Sequence, residues 1–352
     1  MSGFEYGNTR LRAMKSRLLS KQTLESLIIS ESVESLITGM TETPYRKAVE
    51  ATLARASGVA VIDEALSLEF AETVGKIQQF YEGAAAESVS QLLRIYDVQN
   101  IKAVLRGLSQ HLPSDEIMGA ILPVGEIPGS IWVLLARADG PREATDLLAT
   151  LSQPHAQPLL ELRGKKPGAT IADMELALEH WYFNEAEVYI MSMAQAANGL
   201  AAALKLNIDL KNLLTVLRFG YAPAERKRLD VDGLRRLLVG PGEITLHFLE
   251  SAAEQNTLSD TVSVLAATPY ATTLQLGIES FRKTGHLSDF EFQLRSYRLQ
   301  WMRRKIRLDP LGIGVPIGYI ALKENEVSNL RWIAHGIQQG IDRRVIQAGL
   351  EF

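Results

Sequence analysis

The sequence predicts an all-α protein built from three divergent copies of one helical unit. Three observations carry that expectation. Apolar residues recur at three- and four-residue spacing, strand-like alternation bounded by hairpin turns is missing, and a set of landmarks returns in constant order in each third of the chain. In SVSQLLRIYDVQNIKAVLRGL, for example, Leu93, Val98, Ile101, Val104, Leu105 and Leu108 form one broad apolar stripe on a helix.

The clearest landmark is D-x-x-N-x5-R. It occurs as Asp97, Asn100 and Arg106, again as Asp209, Asn212 and Arg218, and more loosely as Glu326, Asn329 and His335. The three acids are 112 and 117 residues apart, close to one third of the 352-residue chain. Asp63, Asp173 and Asp289 each open an apolar segment 34, 36 and 37 residues before the central acid. Earlier still stand Thr43-Pro44-Tyr45, Gln153-Pro154-His155 and Thr268-Pro269-Tyr270. AILPVGEIP, with Gly125, and RLLVGPGEI, with Gly242, mark the ends of the first two units. The units are therefore expected at 1–122, 123–240 and 241–352.

Each landmark has a folding role to offer. The three upstream Asp residues suit N-caps, and Pro suits the first turn of a helix. An acid early and a base late in the central helix would complement its dipole. Gly107, Gly220 and Gly336 are placed to close that helix in a left-handed conformation. A second reading makes the acid, Asn and base a polar network between units or a face toward a partner. At about 100° per residue, Asp97 and Arg106 point to opposite sides of their helix, so they do not form one catalytic pair.

Composition narrows the function classes. With 37 Lys and Arg against 41 Asp and Glu, the net charge is −4, which lacks the cationic footprint of a general nucleic-acid binder. Having no cysteine excludes disulfides, thiol catalysis and Cys-based zinc sites. The N-terminal segment has scattered charges and no apolar core of a signal peptide. The uncharged stretches Val188 to Leu204 and Thr261 to Ile278 fall short of the roughly 20 apolar residues that span a bilayer, so membrane association is expected to be peripheral. Gly312, Gly314 and Gly318 lack the Gly-Lys-Ser/Thr ending of a phosphate loop, and the six histidines form no zinc spacing. No catalytic residue, cofactor, nucleotide or metal site is expected.

Two longer segments, IYDVQNIKAVLRG (Ile95 to Gly107) and GYIALKENEVSNLRWIA (Gly318 to Ala334), carry a family resemblance that extends over essentially the whole chain. The sequence resembles the C subunit of archaeal-type rotary ATPases, the counterpart of the d subunit in eukaryotic V-type ATPases. That resemblance implies a funnel of three similar helical domains around a pseudo-threefold central cavity. It further implies a non-catalytic central-stalk socket on the cytoplasmic side of the membrane. The socket would couple the rotor shaft, made of the D and F subunits, to the membrane proteolipid ring for ATP synthesis or ion pumping. Glu326 and His335 depart from the Asp and Arg of the first two units, and Phe219 is inserted before Gly220.

The nine motif residues are then candidate interface positions. Arg298, Arg303, Arg304, Lys305 and Arg307 in RSYRLQWMRRKIR, together with the run from Glu225 to Arg236, are candidate rim charge. Both runs read equally as solvated helix faces. From other function classes, a helical-repeat adaptor for another protein or a membrane surface would keep the fold, and an all-α enzyme would need residues that converge only in three dimensions.

Overall fold

In a computed structural model of the chain, residues 3–193, 198–221 and 231–352 are described, and every regular element among them is a helix. After α1 (Glu5–Lys15), the helices run in one order of lengths three times over: three short, two long, one short. The first series is α2 (Lys21–Ile28), α3 (Val33–Thr41), α4 (Arg46–Leu53), α5 (Val59–Gln79), α6 (Gly83–Ser109) and α7 (Ser114–Gly119). The second is α8 (Gly129–Ala136), α9 (Pro141–Thr150), α10 (Ala156–Lys165), α11 (Ile171–Ser192), α12 (Asn198–Gly220) and α13 (Val231–Leu237). The third is α14 (Leu246–Ala253), α15 (Leu258–Leu265), α16 (Ala271–Thr284), α17 (Ser288–Leu308), α18 (Gly314–Gln338) and α19 (Arg343–Ala348).

The short helices are started by hydroxyl caps. Ser20, Ser32, Thr245 and Thr257 each accept a backbone N–H of the first turn, and Thr170 does the same for the long α11. Such a cap satisfies one of the free N–H groups at a helix start and contributes about 1 kcal/mol. The long helices are held by their apolar faces. In α6 the predicted stripe is buried throughout, from Leu93 to Leu108, at roughly 1.5–3 kcal/mol for each fully buried large side chain.

The chain divides into two compact units. One comprises Met1–Leu147 with Arg303–Phe352, the other Leu148–Met302, and the sequence boundaries at 122/123 and 240/241 fall inside them. In the first unit α18 packs along α5 and against α1, α2 and α3. Ile62, Leu66 and Phe70 of α5 and Val327, Leu330 and Ile333 of α18 are buried there. In the second unit Leu213 and Val216 of α12, Leu249 of α14, Leu265 of α15, Leu274 of α16 and Phe290 of α17 share one core.

Two expectations about the landmarks are corrected. The upstream Asp residues are not N-caps: Gly58 caps α5, and Asp63 lies a full turn inside it, while Asp173 is the third residue of α11 in a capping box with Thr170. Asp289 lies in the first turn of α17 and accepts from the Thr284 hydroxyl. Nor do Gly107, Gly220 and Gly336 turn left-handed. The positive φ falls four residues later, just past the ends of α6 and α18, at His111 (54°) and Gly340 (66°). There Leu112 N–H returns to Gly107 O at 3.0 Å and Ile341 N–H to Gly336 O at 2.9 Å, the long bond of a Schellman motif. The glycines serve packing: a Cβ on Gly107 would meet Ile117 of α7 at 2.6 Å, and one on Gly336 would meet Ile346 of α19 at 2.8 Å. Gly220 faces Thr261 instead.

Candidate functional site

The central helices α6, α12 and α18 each carry the acid and the Asn of the repeated motif near their midpoints, three residues apart and therefore on neighbouring positions of one face. All six side chains are buried. A buried amide or carboxylate needs partners, and here the partners are backbone groups of segments that have no ladder of their own.

The asparagines act alike. Asn100 donates from Nδ2 to Leu122 O and accepts Leu122 N–H at 3.0 Å. Asn212 donates to Gly240 O at 2.8 Å and accepts Val239 N–H at 3.0 Å. Asn329 donates to Glu351 O at 2.8 Å and accepts Glu351 N–H at 3.1 Å. Each amide thus clamps an extended stretch by a donor and an acceptor together.

The acids hold the segments leading to the next helices. Asp97 accepts Glu126 N–H at 2.8 Å and Ile127 N–H at 3.3 Å. Asp209 accepts Glu243 N–H at 3.2 Å and Ile244 N–H at 3.1 Å. These stretches run into α8 and α14, so the central helix grips the entrance of the next series of short helices. Gly125 and Gly242 are required by that grip, because a Cβ on either would collide with the carboxylate it faces. Glu326 reaches the chain's first series in the same manner, accepting Leu19 N–H just ahead of α2. The acids therefore sit mid-helix and bind neighbouring backbone. They do not complement the dipole of their own helix, whose influence is confined to the end turns.

A tyrosine completes two of the three. Tyr45 donates its hydroxyl to Glu326 Oε1 at 2.7 Å, and Tyr270 donates to Asp209 Oδ2 at 2.9 Å. Both stand in the Thr-Pro-Tyr landmark, where Thr43 and Thr268 accept the tyrosine N–H and so fix the same turn. The third clamp has an addition that spacing alone does not reveal. Lys323 donates to Glu326 Oε1 at 2.9 Å and to the Tyr45 hydroxyl at 3.0 Å, and lies 3.8 Å from Glu69.

Burial sets the protonation of these groups. It pushes Asp97 up to about 7, against the opposing pull of the Glu126 and Ile127 N–H groups. It also raises Asp209, opposed by Ile244 N–H, the Tyr270 hydroxyl and Glu243 N–H. Tyr45 is raised by burial and then by the charge of Glu326. The carboxylate oxygens are engaged with the chain itself, so the arrangement stitches segments together.

The basic members of the motif stand apart from the clamps. Arg106 is exposed, Arg218 pairs with Glu291 of α17 at 2.5 Å, and His335 lies 3.0 Å from Asp63 of α5. Among the candidate rim charges, Arg298 donates to Asn207 Oδ1 at 3.1 Å. Arg303, Arg304 and Arg307 are exposed, and Lys305 is half-buried. In the run from Glu225 to Arg236, positions 225–230 lie outside the described residues, and Arg235 pairs with Glu250 at 2.7 Å.

Comparison with known proteins gives the family. The family described as ATP synthase (C/AC39) subunit matches residues 7–349. The chain belongs to that family. It is similar to the C subunit of the A-type ATP synthase of Methanocaldococcus jannaschii, at 25% identity over 343 residues, covering 96% of this chain and 83% of the relative. The corresponding protein of Pyrococcus furiosus is 25% identical over 332 residues, covering 94% of this chain and 85% of the relative. That of Methanosarcina barkeri is 26% identical over 348 residues, covering 98% and 92%. The matched residues include all three central helices and, apart from Glu351, the residues of their clamps.

Proposed function

We propose that this member of the ATP synthase (C/AC39) family is a non-catalytic central-stalk subunit. It is a socket through which the rotor shaft, made of the D and F subunits, is coupled to the membrane proteolipid ring. The observation that carries the reading is the family match across residues 7–349, to relatives named as the C subunit of A-type ATP synthases. The clamps support it physically. A part that transmits torque must resist shear between its helices, and buried bidentate amide and carboxylate contacts supply directional stiffness that apolar packing alone does not.

In this reading the three units are 1–122, 123–240 and 241–352, each central helix gripping the segment that opens the next. The protein binds no nucleotide and sits peripherally on the cytoplasmic side. Peripheral placement is supported by the helices themselves: among the described residues none is long and apolar enough to cross a membrane. The exposed charges of Arg303, Arg304 and Arg307 are then available to a partner surface.

The test is reconstitution of the purified chain with the D–F shaft and with the detergent-solubilised proteolipid ring at low and moderate salt. The expected result is a complex with each. Binding to neither would overturn the assignment.

A further inference from the structure

The turn joining α17 to α18 is an apolar tip held from behind. Leu308 at the end of α17 is 74% exposed and Leu311 in the turn is 64% exposed. The turn has little freedom to fold them away. Asn8 of α1 donates to Gly312 O at 2.9 Å, Arg12 donates to Pro310 O at 2.5 Å, and Gly314 N–H donates to Asp309 Oδ2 at 2.8 Å. Asn8 is itself fixed by the Tyr81 hydroxyl at 2.9 Å. Tyr6 on α1, 65% exposed, adds a third outward apolar surface to the same compact unit.

The charge on α17 behind the tip is cationic, and the one carboxylate between the two leucines, that of Asp309, is turned onto Gly314 N–H. Arg303, Arg304, Arg307 and Leu308 fall within an arc of about 140° on α17 at 100° per residue, opposite the buried Met302 and Ile306. The three arginines are exposed, and no acidic partner engages them among the described residues. Exposed leucines at the end of a long helix pair, set ahead of a cationic face, match the chemistry of a bilayer interface. There apolar side chains enter the acyl boundary and guanidinium groups meet phosphate.

We propose that this tip docks on an anionic lipid surface, with Leu308 and Leu311 inserted and Arg303, Arg304 and Arg307 on the headgroup phosphates. The inference rests on the peripheral-membrane part of the proposed function and assigns it a contact.

Sedimentation of the full chain with vesicles of phosphatidylcholine, with and without phosphatidylglycerol, tests it. The anionic vesicles alone should retain the protein. R303Q/R304Q/R307Q should weaken partitioning by at least about tenfold, given the usual contribution of each basic residue near an anionic surface. L308S/L311S should weaken it while leaving the circular dichroism spectrum unchanged. Because the chain has no cysteine, Leu311→Cys offers a single attachment point for an environment-sensitive fluorophore. Its emission should shift to the blue on anionic vesicles, whereas the same label at Lys47→Cys should not respond.

No binding, or salt-sensitive binding without a shift at position 311, would overturn the proposal. Retention of the arginine and leucine variants at wild-type strength would do the same. A chain that binds the proteolipid ring but not vesicles overturns the lipid contact alone. One that binds vesicles but no rotor subunit overturns the socket alone.

Discussion

The Lys323 ammonium lies 2.9 Å from Glu326 Oε1 with both side chains buried, inside the one clamp whose acid is a glutamate. The matching positions of the other two clamps differ: Leu206 stands three residues before Asp209, and Arg94, three before Asp97, pairs with Glu126 at 2.9 Å and acts on Asp97 only through its charge. Lys323→Met leaves Glu326 and Glu69 without their cation, at a cost of about 3–5 kcal/mol. The double variant K323M/E326Q should recover part of that loss. Guanidinium denaturation midpoints measure both.

The asparagine clamps predict a loss larger than that of a surface substitution. Asn212→Ala removes a donor and an acceptor at once and strands Val239 N–H and Gly240 O. The expected destabilisation is about 2–4 kcal/mol. Arg304→Ala, on an exposed helix face, should change stability by no more than about 0.5 kcal/mol. Paired urea titrations of the two variants check the contrast.

Asp97 gives a pH dependence of known sign. Its folded-state pKa of about 7 lies above the ordinary 3.8, so the folded chain binds that proton more tightly than the unfolded chain. The associated stability is fully present below about 4 and is lost as pH rises through about 7. Asp97→Asn stays neutral at every pH, as the protonated acid is, and lacks this slope. The unfolding free energy of the wild type minus that of D97N should therefore fall steadily as pH rises across that window. A difference that grows with pH would contradict the burial argument.

Glycine substitutions separate close approach from simple flexibility. Gly125→Ala drives a methyl into the Asp97 carboxylate at a backbone φ of 113°, and should cost about 2 kcal/mol or more. Gly75→Ala, in the interior of α5 with open space around it, should stabilise by about 0.5–1 kcal/mol. Thermal melts in opposite directions are the expected outcome.

The helical class and the positions of Asp97, Asn100 and their counterparts are legible because periodicity and spacing are properties of the chain itself. Their partners are not, because those partners are backbone groups and backbone has no sequence signature. Tyr45 stands 281 residues from Glu326, a separation no local pattern encodes, although its constant place in Thr-Pro-Tyr is visible. Gly107 and Gly336 look in the sequence like helix ends, whereas the left-handed turn falls at His111 and Gly340. A glycine needed for a neighbour's isoleucine looks, in sequence, the same as one needed for a turn. Lys323 has the composition of a solvated helix position and becomes a buried cation only when α18 packs on α5.

The central claim, that the chain couples shaft to ring, is tested most directly by ion pumping in the reconstituted rotary complex with and without this subunit. The prediction is that ATP hydrolysis by the soluble head persists in its absence while ATP-driven ion transport is lost, and that adding the purified chain restores transport. Undiminished pumping without the chain would contradict the account.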